Sequence, residues 1–408
     1  MVRMSTHRVD DFVKMTVSST GCEESSITRM KISPEVLKWA CDRATPSVGD
    51  LRGRHPKVAA WINGDAEPTL RQLEVFARAA RVAVGYLFLP EPPEENLPIK
   101  DLRTVRSQQV RRPSPDLLDT IYACQQRQVW YGEYARRRHL PRCPLSRIAA
   151  IESSPKSVAM ELERIIGFGV DERRAASDLD AAFRMFADCA ESAGVLVMVG
   201  GTVGPNTKRL LNPDEFRGFA LADDIAPIVF VNSKDTKAAR MFTLAHELAH
   251  ICLGESALSD ATLNATAQDK IEVWCNRVAA EYLVPAAALS QLVKQMGNDV
   301  SALAKELNVS RPVILRRLLD TGVIDRDQFD RLYAVHVASY VQPPKDPKKK
   351  SGGSPYRTLR RRVSPLFASA VIGSALEGET LFTEAFRLLE VKNRASLGKL
   401  AELVGHEV

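Results

Sequence analysis

Apolar residues fill nine of the thirteen positions from Met241 to Leu253, and no Pro or Gly interrupts residues 234–253. That density predicts one buried helix, with Ser233 or Asp235 placed to cap its start. Lys270–Pro285 reads as a second helix ending near its proline. Upstream, Gly194-Val-Leu-Val-Met-Val-Gly200 is a short apolar strand bounded by glycines, and Phe216–Leu221 and Ile228–Val231 read as strands beside it. Two further helices are expected within 155–193. The fold class that follows is α+β, mostly helical, with a small sheet packed on the two apolar helices.

The flanks divide by composition. Residues 1–31 are polar and aperiodic, a mobile leader. From 32 to 93 the chain reads as short helices, one beginning at Ser33-Pro34. Thr69 is expected to cap a helix over 70–81 whose inner face is Leu70, Leu73, Phe76 and Ala77. Val48–Pro56 holds two glycines and a proline, which breaks the helical pattern there. Residues 94–150 form a linker and a connecting helix, Ser114 to about Ala135, carrying Leu117, Leu118, Ile121, Tyr122 and Val129. Within the expected central domain, 151–341, Val300–Leu318 has a helix-turn-helix pattern with Ala304, Leu307, Val309, Ile314 and Leu318 inside and Ser310 as a cap. Residues 342–355 are a Pro-, Lys- and Gly-rich linker, and 356–408 a helical tail that includes Leu376–Glu390. A nucleic-acid patch and a solvated arm are both open for the basic start of that tail.

Over 408 residues, 45% hydrophobic and 26% charged residues describe a soluble globular chain of two or three domains. The net charge of +6 permits nucleic-acid contact without requiring it. No apolar run reaches the length of a membrane span, and no signal-peptide core begins the chain. Seven scattered cysteines without a CxxC pair favour reduced thiols, hence a cytoplasmic setting.

The chemistry lies in His246-Glu-Leu-Ala-His250. On a helix the two imidazoles fall one turn apart on one face and can share a metal ion, zinc being the expected one. Glu247, between them, is placed to act on a water beside the ion. In the second helix, Glu272 and Glu281 point to opposite faces, so only one can be a third ligand, and Glu272 is preferred. Asn276, one turn on, can orient a ligand histidine. Cys275 is a possible soft ligand but reads better as core. Candidates to stabilise an oxyanion are Tyr282, Tyr333, His336, Arg316 and Arg317. The strand Pro227–Ser233 is either an ordinary sheet strand or an edge to which an extended substrate could add.

Ile228–Ser233, Arg240–His250 and Glu272–Pro285 together resemble the ImmA/IrrE family of zinc-dependent peptidases, over roughly residues 185–340. The resemblance implies zinc on His246, His250 and Glu272, with Glu247 as general base. It also implies protein substrates, in the form of helix-turn-helix repressors cut in stress-response or mobile-element settings. The order of helices in 32–93 resembles the repressor-like (XRE-type) helix-turn-helix domain often fused ahead of such peptidases, with Arg52, Arg54 and Lys57 as candidate DNA-phosphate contacts.

The expected function is therefore a zinc-dependent regulatory endopeptidase acting on a DNA-binding repressor. The alternative is a DNA-binding transcriptional regulator whose metal site senses or stabilises without cutting.

Overall fold

The computed structural model describes residues 28–48, 51–95, 97–102, 113–259, 270–340 and 354–406. The expected leader, up to residue 27, and residues 342–353 of the expected linker lie outside the described residues. The chain divides into two compact units, Met1–Glu94 and Glu95–Val408.

The N-terminal unit is helical: α1 (Pro34–Val48), α2 (Leu51–Arg54), α3 (Pro56–Asn63), α4 (Leu70–Ala80) and a 3₁₀ turn at Val84–Phe88. Trp39, Trp61, Phe76 and Leu37 centre its core. Pro56 opens α3 rather than ending a helix, since a first-turn residue has no intrahelical N–H bond to lose. Thr69 caps α4 through a reciprocal pair: its hydroxyl accepts from the Gln72 amide, and Gln72 Oε1 accepts from the Thr69 amide. Leu73, Phe76, Ala77 and Ala80 form the buried stripe. Leu70, expected on that face, is 43% exposed; it stands in the first turn, outside the stripe that meets the core.

The second unit begins with β1 (Lys100–Asp101), α5 (Pro115–Arg137), α6 (Pro155–Ile166), α7 (Val170–Ala175) and α8 (Leu179–Ser192). There follow β2 (Leu196–Gly200), β3 (Gly218–Leu221), β4 (Ile228–Asn232), α9 (Lys237–Leu253), β5 (Ala257–Ser259) and α10 (Lys270–Leu283). Next come α11 (Ala286–Met296), α12 (Val300–Glu306), α13 (Arg311–Asp320) and α14 (Arg326–Tyr340). Last are α15 (Pro355–Arg362), α16 (Pro365–Leu376), α17 (Phe382–Leu388) and α18 (Arg394–Leu403). The region 155–193 thus holds three helices rather than two, and residues 376–390 are a turn and α17 rather than one helix. The fold class is α+β, mostly helical around one small mixed sheet.

The five strands lie in the order β1-β5-β3-β4-β2, with β2 parallel to β4 and β3 antiparallel to both β4 and β5. β4 is therefore interior, hydrogen-bonded on both sides, so of the two readings of Pro227–Ser233 the ordinary sheet strand holds and edge addition does not. Both faces are covered. Val197, Val199, Ala220, Val229 and Val231 join the core shared with α8, α9 and α10. Leu196, Met198, Phe219, Leu221, Ile228 and Phe230 join a second core with α5, α16 and α18. Coverage on both sides explains why these strands are apolar without alternation.

The C-terminal helices do not trail as a solvated arm. α16 is apolar nearly all round and buries Phe367, Val371 and Ile372 against the sheet side. The basic residues at the end of α15 are paired inward, Arg361 with Asp188 at 2.8 Å and Arg362 with Glu390 at 2.6 Å. Arg127 of α5 reaches the same Glu390 at 2.6 Å, so one carboxylate ties three segments together. On α5 itself, Leu117, Leu118 and Ile121 are buried as expected, whereas Tyr122 and Val129 are exposed because the sheet and α16 take the other side.

Glu191, at the end of α8, is a buried acid in this second contact. Its carboxylate accepts from the Val197 amide at 3.2 Å and from the Leu366 amide at 2.8 Å, capping α16. Burial pushes its pKa up to about 7, against the opposing hydrogen bonds from Ser364, Leu366 and Val197. The folded chain then holds this proton more tightly than the unfolded one. The associated stability is complete below the unfolded carboxylate range and is lost as pH rises through about 7. The difference corresponds to roughly 3 kcal/mol. Glu191→Gln should flatten the fall in melting temperature between pH 5 and pH 8; an unchanged slope would remove Glu191 as its source.

Candidate metal centre

α9 enters the core between the sheet and α10, and its start is set by Thr236, whose hydroxyl accepts from the Ala239 amide. Neither Ser233 nor Asp235 caps it. Gly254, in the left-handed region at φ 73°, ends it. His246, Glu247 and His250 are fully buried on this helix, and Glu272, in the first turn of α10, is 4% exposed.

The side chains of His246, His250 and Glu272 converge. His250 Nε2 lies 3.1 Å from His246 Nε2 and 3.1 Å from Glu272 Oε1, while His246 Nε2 lies 3.4 Å from Glu272 Oε2. Donors about 2.0–2.1 Å from a tetrahedral zinc stand about 3.3 Å apart, so the spacing suits such an ion. Hydrogen bonding alone does not account for it. His250 Nε2 faces His246 Nε2, Glu272 Oε1 and the Ser259 hydroxyl (3.2 Å) at once, yet one ring nitrogen offers a single proton or a single lone pair. A cation lets both imidazoles and the carboxylate point inward together. The donor set, two imidazoles and a carboxylate, fits zinc in a catalytic arrangement.

The electrostatics follow from burial and proximity. Burial works to push Glu272 up, but the charges and hydrogen bonds of the two histidines, His246 foremost, hold it well below the usual carboxylate range. Burial lowers His250, whereas the Glu272 carboxylate overcomes burial at His246 and raises it. Glu247 has neither oxygen in a hydrogen bond. Burial, reinforced by the Glu272 charge and opposed by His246, pushes it up to about 8. The charge of a cation held by the three donors would favour its carboxylate, the form that accepts a proton.

Two residues of this pocket were not apparent from sequence. Gly218 and Ser259 are register partners on β3 and β5. A Cβ on Gly218 would stand 2.6 Å from Thr243 Cγ2 and 3.1 Å from Glu247 Oε1, so only glycine lets the strand approach α9 there. Ser259 brings its hydroxyl to His250, and its proximity also favours the charged form of Glu247. The available signal was the small residue at alternate positions in Gly218-Phe-Ala220.

Other candidates fall elsewhere. Asn276 lies on the His246 side of α10 and favours the protonated ring, although Asn276 Oδ1 and His246 Nδ1 are each buried outside any closed hydrogen bond. Cys275 is inside the apolar core. Glu281 turns away and pairs with Arg317. Arg317 also donates to Val284 O at 2.8 Å, and Tyr282 donates to Phe168 O at 2.6 Å, so both are committed to the core rather than to an oxyanion. Arg316 pairs with Asp320 at 2.9 Å, and Tyr333 stacks on Phe329. The side chain of His336 lies outside the described residues. The helices α12 and α13 bury Ala304, Leu307, Val309, Ile314 and Leu318 in the same core as α10. In the N-terminal unit, Arg52, Arg54 and Lys57 are exposed, with Arg52 paired to Asp42 at 2.9 Å.

Among the described residues, no helix is long and apolar enough to cross a membrane. Comparison with curated proteins and with solved structures found no match. Residues 363–403 match a domain of unknown function (DUF8813), which takes in α16, α17 and α18. Residues 190–319 match the IrrE N-terminal-like domain of a peptidase family, so the stretch from β2 to α13, with every candidate metal donor inside it, is similar to a metallopeptidase domain.

Proposed function

We propose that this chain is a zinc-dependent endopeptidase that cuts a DNA-binding repressor protein. The observation that carries the reading is Glu247: a fully buried carboxyl group, without a hydrogen bond, directly beside three converging metal donors. A site that only stored or sensed an ion would have no use for such a costly group.

His246, His250 and Glu272 would hold the zinc, which when bound supplies Lewis acidity to a peptide carbonyl and to water. Glu247 accepts a proton from the water that adds to the carbonyl carbon. It then delivers that proton to the amide nitrogen as the C–N bond breaks, leaving a carboxylic acid and an amine. Gly218 keeps the strand close enough to fix the Glu247 carboxylate, and Ser259 holds His250 from the sheet side. The low polarity around α9 strengthens each of these contacts. The N-terminal unit is the candidate recognition module, with Arg52, Arg54 and Lys57 as its phosphate contacts if it meets DNA.

The test is incubation of the purified chain with the repressor encoded beside it, followed by mass spectrometry. A single cut should disappear with 1,10-phenanthroline and return with stoichiometric zinc. A cut indifferent to chelation, or none with zinc fully loaded, would overturn the reading.

A further inference from the structure

Resting on the peptidase reading, we propose that the outer edge of β5 is the docking edge for an extended segment of the protein substrate, and that this chain's own residues 100–102 occupy it. β5 ends at Ser259, whose hydroxyl is 3.2 Å from His250 Nε2, so a backbone laddered along β5 runs directly to the metal donors. Its inner side is taken by β3. Its outer side carries β1, in parallel register with Lys100 opposite Ala257 and Asp101 opposite Leu258, and the Leu102 amide donates to Leu258 O at 3.0 Å.

This strand is short. β1 is two residues long and both are exposed. Ile99 and Leu97 are only partly buried against the second core, and the firm anchor is Leu102, 6% exposed. Alternation from the register places Leu102 on the sheet face shared by Ser259 and α9. Leu102 belongs to neither apolar cluster of the unit. β1 also lies outside the residues that match the peptidase domain, 190–319. A main-chain ladder of this kind accepts any extended backbone, which makes an incoming polypeptide and β1 direct competitors.

Two variants of the full zinc-loaded chain test this. Leu102→Pro removes the donated hydrogen bond, and Leu102→Gly removes only the anchoring side chain. A fluorescein-labelled peptide of sequence Leu-Pro-Ile-Lys-Asp-Leu-Arg, the chain's own 97–103, is titrated by anisotropy. At least tenfold tighter binding to both variants than to the parent chain is expected. Cleavage of denatured, labelled casein should rise at least fivefold in both. Equal peptide binding by parent and variants would overturn the occupied edge. Tighter peptide binding with casein cleavage unchanged would overturn its role in substrate entry. Absence of casein cleavage in every form, with the peptide difference intact, would overturn the role in substrate entry and leave the occupied edge standing, the peptidase reading being decided by its own zinc-dependent cut.

Discussion

Glu247→Gln is expected to keep its zinc and to lose about a thousandfold or more in cleavage rate. Glutamine has the size and shape of glutamate, so the close approach of Gly218 and Thr243 is undisturbed. None of the converging donor atoms of His246, His250 and Glu272 is touched. What is lost is a group able to accept and return a proton, and general acid–base catalysis is worth about 10² to 10⁴ in rate. A thousandfold is about 4 kcal/mol of barrier. Metal content by atomic absorption and single-turnover cleavage are the two readouts. Turnover within a few-fold of the parent chain would remove Glu247 from the mechanism.

Glu272→Ala should weaken zinc binding by at least about a hundredfold, exceeding what outer-shell substitutions cost. Glu281→Ala, nine residues further along α10, should leave zinc binding within a few-fold. Glu281 pairs with the buried Arg317 and accepts from the Ala286 amide, so its loss leaves that guanidinium only the Val284 carbonyl and the more distant Asp320, at 4.0 Å. Such a break is expected to destabilise the fold by about 1–3 kcal/mol, less than an uncompensated buried charge would cost. The two substitutions therefore separate in opposite directions, one in competition with a metal indicator dye and the other in melting temperature. Loss of zinc on Glu281→Ala with retention on Glu272→Ala would invert the assignment of the two acids.

Local spacing made the converging donors legible. The i, i+4 histidines and the helical phase of Glu272 against Glu281 depend only on 3.6-residue periodicity, which the apolar run around them declares. The three longer strands, β2, β3 and β4, were legible for a related reason: each is a continuous apolar run because cores lie on both sides. β1 and β5 were not. With two and three residues they carry no pattern, and they exist only because β3 and β5 pair across the fold. Ser259 and Gly218 were hidden with them, since their meeting is a matter of register between distant segments. Tyr122, Val129 and Leu70 show the converse limit, in which apolar residues on a helix point outward because tertiary neighbours choose the face. Glu281 and Arg317 could be read as surface charges, but only the packing of α13 onto α10 joins them.

The far side of the sheet is closed by α16 and α18, which leave the ribosome long after β2, β3 and β4. The N-terminal unit has its own core and can fold while synthesis continues. The strands of the second unit cannot finish folding at that stage, because Phe219, Phe230 and Met198 wait for residues around Phe367 and Val371. A nascent chain stalled near residue 350 would leave the part of this aromatic surface not covered by α5 exposed to chaperones.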